Sequence, residues 1–382
     1  AYPLFAMLFG FGLVTMVNRR IASGTSSYLS SLPGVEDGRE PTSQEAAWAR
    51  EQATVDARRL VRRRGLWMIL FGAVHAVLFS GDIIGPYGLV AVIFAGWIAR
   101  KHWKRAVAFC AVVVVAGAVT FLNMGSFLAS QATTSATDAH QGAGASTDTV
   151  LSYVSDGLLA WGGSLVSALF FSMIVPAMFL GARLADTDLI AHPERHRGLL
   201  TVAGIGGLAL GALGALHELL VPLTSAQSWE ADSALIAVLG LAGGCGWLAV
   251  LALYAGGPTS DNRLTGLRWL LSNVGRRSMT AYLSQTVMFA GIFVIAPRLT
   301  GRPLELGLVA SAAVAVMVWL TTVVLCAVLE RLGMPGPFES LLRIAVARSE
   351  RSRTNPFPQQ IPAQRAAQFL GRSTSAPVTA GA

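Results

Sequence analysis

The chain has 382 residues, of which 53% are hydrophobic and only 13% charged, with a mean hydropathy of +0.55. This composition excludes a water-soluble globular architecture and indicates an all-α polytopic membrane protein. The net charge of +8 does not call for nucleic acid, because in a membrane protein the placement of the basic residues carries the information.

In chain order, nine apolar stretches are able to span a bilayer: residues 2–17, 65–80, 83–99, 106–122, 157–180, 199–221, 234–254, 279–295 and 304–329. Residue 1 is Ala and leads straight into an apolar run, with neither a charged n-region nor a cleavage motif, so the start is not a signal peptide. The natural N-terminus is read as missing; one further helix there would give ten spans with both ends cytoplasmic. If Arg19 and Arg20 are cytoplasmic, strict alternation puts all of the 29 Lys and Arg residues except Arg298 and Arg302 on the same side, C-terminal tail included. That asymmetry is the positive-inside signature, and it supports both the nine spans and a cytoplasmic C-terminus.

The stretches divide into a membrane half (residues 1–122), an external loop rich in Ser, Thr, Ala and Gly (123–156), a second membrane half (157–345) and a disordered cytoplasmic tail (346–382). Cys110, Cys245 and Cys326 all lie in apolar runs and read as small buried hydrophobes; without a CxxC pair or a Cys/His cluster, no metal site is expected. Gly207 and Gly211, and Gly240 and Gly244, form GxxxG pairs, read as close packing of helices within the bundle rather than a dimer interface, so an oligomer is neither required nor forbidden.

The second stretch carries the strongest chemical signal. His75 stands about ten residues from Arg64, roughly 15 Å along a helix, and so near mid-depth in a bilayer about 30 Å thick. Ionisable groups are costly at that depth and are usually tied to function. Asp82 follows on the outer side. On a straight helix it would share a face with His75 about 10 Å away, too far for a direct hydrogen bond; capping the next helix, near Pro86, is its plainer role.

The pattern Arg63-Arg64, Phe71-Gly72, His75, Gly81-Asp82-Ile83 and Tyr87-Gly88 resembles the YeiB-like membrane proteins, whose C-terminal half is the domain of unknown function 418. Residues 3–12 resemble that family's second helix; Ser272-Asn273-Val274-Gly275-Arg276-Arg277, running on through Tyr282 to Gln285-Thr286, resembles its "GR…TNYL.QS" motif; and Gly336-Pro337-Phe338-Glu339 with Arg343 resembles its closing "GPLE.L.R". The family's first helix has no counterpart here. The resemblance implies the bundle of transmembrane acyltransferases in a bacterial inner membrane, with acyl-CoA as co-substrate and an envelope glycan or lipid as acceptor.

Under that implication His75 and Asp82 are the catalytic candidates, since a neutral imidazole can take an acceptor's proton or carry the acyl group. A structural histidine bonded to a neighbouring helix is the alternative. Arg62, Arg63 and Arg64 are placed to hold the phosphates of CoA, although positive-inside anchoring explains them more simply. Tyr87 is either an oxyanion donor or an interfacial belt residue. His217, beside Glu218 near the outer end of the sixth stretch, and Tyr282 with Gln285 on one face of the eighth, are candidate substrate contacts. Interface solvation and helix-to-helix bonding are their respective alternatives. Three readings stay open: an acyltransferase, a small-solute or proton-coupled transporter using the same His and Asp, and a membrane protein without catalysis.

Overall fold

The computed structural model describes residues 2–32, 34–35, 38–79, 81–116, 150–170, 172–220, 229–257, 264–301 and 306–350. Among the described residues the chain is helical, without a β-strand: α1 (Tyr2–Ser30), α2 (Ser43–Ala76), α3 (Ile84–Ala99), α4 (103–116), α5 (Val150–Phe170), α6 (Ile174–Leu184), α7 (Arg197–Leu220), α8 (Trp229–Ala255), α9 (Gly266–Arg276), α10 (Ser278–Ala290), α11 (Ala296–Thr300), α12 (Leu308–Arg331) and α13 (Pro337–Arg348). The predicted external loop and C-terminal tail fall largely outside the described residues.

Among the described residues, five helices are long and apolar enough to cross a membrane: α1, residues 197–216 of α7, residues 236–255 of α8, residues 278–295 covering α10 and the π-turn after it, and α12. The protein is therefore a multi-pass membrane protein. The other predicted spans take different forms. The stretch 157–180 is not one straight rod but α5 and α6, bent by 56° at their junction. Helix α3 is apolar but 16 residues long, and the stretch 106–122 runs past the end of described α4. The stretch 65–80 is the final third of a much longer helix.

That helix, α2, has 34 residues and is about 50 Å long. Its start is fixed by Thr42-Ser-Gln-Glu45. Glu45 N–H donates to Thr42 Oγ1 at 3.3 Å while Thr42 N–H donates to Glu45 Oε2 at 2.8 Å, a capping box. The Arg39 guanidinium, 2.8 Å from Glu45, and the Thr42 backbone bond hold the Glu45 carboxyl down at about 2. Its other end comes at Ala76, earlier than the apolar pattern suggests. The chain turns through 77–83 and re-enters as α3.

Small residues set the helix spacing. A Cβ on Gly65 would stand 2.6 Å from the Gly88 carbonyl oxygen, and one on Gly88 would stand 2.6 Å from the Gly65 carbonyl oxygen, so α2 and α3 touch backbone to backbone. Helices α7 and α8 meet likewise, with a Gly211 Cβ 2.8 Å from Gly243 Cα and a Gly207 Cβ 2.7 Å from Gly246 N. Bundle packing is thus the role of Gly207 and Gly211, and their partners are Gly243 and Gly246. Gly240 faces open space, and Gly244 packs against Leu4 and Met7 of α1. The main core is built by α1, α2, α3 and α6, with Met7, Val14, Val61, Val90, Ile98 and Met178 almost wholly buried.

A polar clamp joins α10 to α12 and α13. Arg277 donates to Glu330 Oε2 at 2.8 Å and to the Met334 carbonyl at 2.6 Å. Glu339 accepts from Thr280 N–H at 2.9 Å and from the Thr280 hydroxyl, so this carboxylate caps the first turn of α10. No ion pair joins Glu339 to Arg343.

Candidate functional site

The early end of α2 creates the site. Because the chain folds back after Ala76, Asp82 returns over the last turn of α2. The expected separation of about 10 Å is overturned: His75 Nδ1 lies 2.8 Å from Asp82 Oδ1. The straight-helix assumption fails because Gly81 and the turn before it let the chain reverse, and because Gly72 and Gly85 lack the side chains that would keep Asp82 out. A Cβ on Gly72 would stand 2.5 Å from Gly85 N and overlap Asp82 Oδ2.

The remaining bonds of Asp82 fix the proton on His75. Ile84 N–H donates to Oδ1 at 3.1 Å, Gly85 N–H to Oδ2 at 2.7 Å, and Trp161 Nε1–H to Oδ2 at 3.1 Å. All three groups can only donate. Both oxygens of Asp82 therefore accept, and the fourth bond comes from His75 Nδ1–H. The expected capping of the following helix is present as well, through Ile84 and Gly85 in the first turn of α3. A neutral His75 with its proton on Nδ1 turns the lone pair of Nε2 towards the Thr286 hydroxyl, 2.9 Å away. The Tyr282 carbonyl is a second, longer contact of that hydroxyl at 3.5 Å. His75, Asp82 and Thr286 are 4%, 3% and 9% exposed, so the chain Asp82–His75–Thr286 is shielded from competing water.

Tyr282 closes one side, its ring centroid 5.0 Å from that of His75. Its hydroxyl is buried beside the Ile83 backbone, with no hydrogen bond of ordinary geometry. Phe79 borders the other side at 5.9 Å. Gln285 is half-buried, one residue off the Tyr282–Thr286 face of α10. Tyr87 is buried, stacks on Phe9 at 5.1 Å and donates to the Tyr2 carbonyl at 3.4 Å, so its hydroxyl is engaged by α1. The side chain of His217 lies outside the described residues.

Arg62, Arg63 and Arg64 do not converge. Successive residues turn about 100° round a helix. Arg62 is exposed, Arg63 pairs with Glu350 at 2.9 Å, and Arg64 faces Met16 of α1. At that end of the bundle the larger cation-lined space is elsewhere. A cleft of about 810 Å³ between α1, α2 and the α3–α4 turn has Arg50, Arg100, Lys101 and His102 on its walls. Lys101 there holds a left-handed backbone (φ 54°) and pairs with Asp186 at 2.6 Å.

Sequence reasoning passed over Thr286 and Trp161. Both had a signal: Thr286 closes the motif that contains Tyr282 and Gln285, and a Trp in an apolar helix carries an N–H that must find an acceptor.

Residues 184–349 match the family model described as "Protein of unknown function (DUF418)". The match spans less than half of the chain, and over that segment the chain is similar to the DUF418 family. No curated protein and no solved structure matches the chain. The DUF418 segment begins at the end of α6 and includes all of α7–α13, so it contributes Thr286 and Tyr282 to the site, while His75 and Asp82 come from the hairpin before it. The two motifs Gly275-Arg276-Arg277 and Gly336-Pro337-Phe338-Glu339, far apart in the DUF418 sequence, are the two sides of the Arg277–Glu339 clamp.

Proposed function

We propose that this DUF418 protein is a bacterial inner-membrane acyltransferase that moves an acyl group from cytosolic acyl-CoA to an acceptor hydroxyl of an envelope glycan or lipid. In this reading nine stretches span the bilayer and the C-terminus is cytoplasmic, as the distribution of basic residues favours. The observation that carries it is the buried Asp82–His75 pair. A carboxylate fixed by backbone and indole donors holds His75 in the tautomer whose Nε2 accepts a proton, at a depth where only a functional or fully bonded imidazole is tolerated. Acyl transfer to a hydroxyl requires that base. The pair lies at the end of α2 away from the arginines, which suits an acceptor arriving from outside. The cleft lined by Arg50, Arg100 and Lys101 offers cations for the phosphates of CoA on the opposite side.

The test is CoA release by the purified chain in lipid nanodiscs, supplied with acetyl-CoA and longer acyl-CoAs. His75→Ala and Asp82→Asn are expected to abolish it. Absence of binding and of CoA release with every acyl-CoA overturns the reading.

A further inference from the structure

Building on the acyl-transfer reading, we propose that Thr286 is the nucleophile, carrying the acyl group as an ester between donor and acceptor. Three observations lead there. The hydroxyl is already hydrogen-bonded to the base, 2.9 Å from His75 Nε2. The tautomer of His75 is fixed by the four bonds to Asp82, so the Thr286 proton points at a lone pair. And the Tyr282 hydroxyl, on the same face of α10 one turn earlier, is buried beside the Ile83 backbone with no hydrogen bond of ordinary geometry, a donor that can turn to a developing oxyanion. A hydroxyl, an imidazole and a carboxylate bonded in this order form the arrangement that activates hydroxyl nucleophiles on unrelated folds.

The chemistry balances with an acyl thioester and an alcohol as the two reactants. Thr286 Oγ attacks the thioester carbonyl carbon as its proton moves to His75 Nε2. The C–S bond breaks, and the departing sulfur takes that proton to leave as the free thiol. An acceptor hydroxyl then attacks the ester carbonyl and gives its proton to Nε2. The bond from the acyl carbon to Oγ breaks, and Oγ recovers the proton. Asp82 keeps accepting from Nδ1–H in both halves, stabilising the transient imidazolium. The base and its orienting carboxylate come from the α2–α3 hairpin, the nucleophile from the DUF418 segment, so activity depends on the docking of the two halves.

The experiment incubates the full chain in nanodiscs with radiolabelled acetyl-CoA, and separately with an alkyne-bearing β-lactone, which acylates activated hydroxyls without a CoA moiety. After quenching, the labelled peptides are mapped by mass spectrometry. The expected result is an added acyl mass on the peptide holding Thr286, absent in Thr286→Val and His75→Ala and kept in Thr286→Ser. CoA release should fall at least about 10³-fold in Thr286→Val, and the Thr286→Ser rescue shows that the helix is intact. Acyl mass found instead on His75, released by neutral hydroxylamine, or CoA release unchanged in Thr286→Val, overturns the nucleophile and leaves acyl transfer standing. A His75-dependent β-lactone label on Thr286 without CoA release from any thioester sustains the nucleophile and overturns acyl-CoA as donor. Failure of both labels overturns the nucleophile, and failure of both labels together with absence of CoA release overturns acyl transfer as well.

Discussion

Helix α10 has a polar cluster at each end, and the two clusters differ in kind. At its first turn Arg277, Glu330, Thr280 and Glu339 are tied charge to charge and to backbone groups, with Arg277 giving up its donors to Glu330 and to the Met334 carbonyl. At its other end the groups facing His75 are neutral: a hydroxyl 2.9 Å from an imidazole nitrogen, and a tyrosine hydroxyl with no hydrogen bond of ordinary geometry. The first cluster has spent its bonding capacity on fixed neighbours and can only fasten. The second keeps an imidazole, a hydroxyl and a tyrosine donor together in a buried place, the composition that the proposed acyl transfer needs.

The comparison predicts opposite phenotypes. Asp82→Asn keeps the shape of the site but replaces an acceptor with a group that can donate, so His75 loses the bond that fixes its tautomer. CoA release should drop by about 10⁴-fold while the thermal midpoint moves little. At the clamp, Arg277→Met removes the buried cation that ties Glu330 to the Met334 carbonyl and leaves Glu330 with Arg276 alone. The expected result is a lower thermal midpoint in detergent, with turnover per folded molecule preserved. If Arg277→Met abolishes turnover in protein that remains folded, the two ends of α10 are not separable and the division drawn between them is wrong.

Much of this was legible beforehand, and the failures have physical reasons. Membrane character and helical class follow from hydropathy, and the burial of His75 among bonded partners follows from the cost of an ionisable group among apolar residues. The DUF418 segment is visible in motifs that meet in space as the clamp. The direct His75–Asp82 bond was not visible, because hydropathy runs on to Ser80 while the helix ends at Ala76. Apolar residues in the turn carry the same hydropathy as apolar residues in the helix, and only Gly81 and Gly85 hint that the chain doubles back. Thr286 was missed because threonines in membrane helices commonly bond their own i−4 carbonyl, which gives no reason to look across to another helix. The divergence of the three arginines has a simple geometric cause: three in a row look concentrated in a sequence and spread round a helix.

Glycine variants probe how the reactive end is assembled. Gly72→Ala puts a methyl group against Asp82 and the Gly85 amide, forcing α2 and α3 apart where the carboxylate is held. We expect about 1–3 kcal/mol of destabilisation together with loss of CoA release. Gly211→Ala, which crowds Gly243 in the α7–α8 seam, should cost similar stability and leave turnover unchanged. Equal loss of turnover in both would mean that activity follows bundle packing in general and not the Asp82–His75 geometry.

The smallest effect is expected at the exposed start of α2, where Arg39, Thr42 and Glu45 also join charge to backbone but in open solvent. The Glu45 carboxyl is depressed from 4.5 to about 2 by Arg39 and Thr42. A depressed carboxyl stabilises the folded form above its unfolded value and ceases to do so as pH falls through its folded value. The capping box should therefore hold at full strength above about pH 4.5 and dissolve only as pH approaches 2. Raising the salt concentration should move the Glu45 titration upward, because the Arg39 partner is screened by solvent ions. An NMR titration of Glu45 reads this directly. A midpoint near 4.5 that ignores salt would show that Arg39 does not hold this carboxylate, and that the solvent-exposed pair, unlike the clamp at Arg277, fastens nothing.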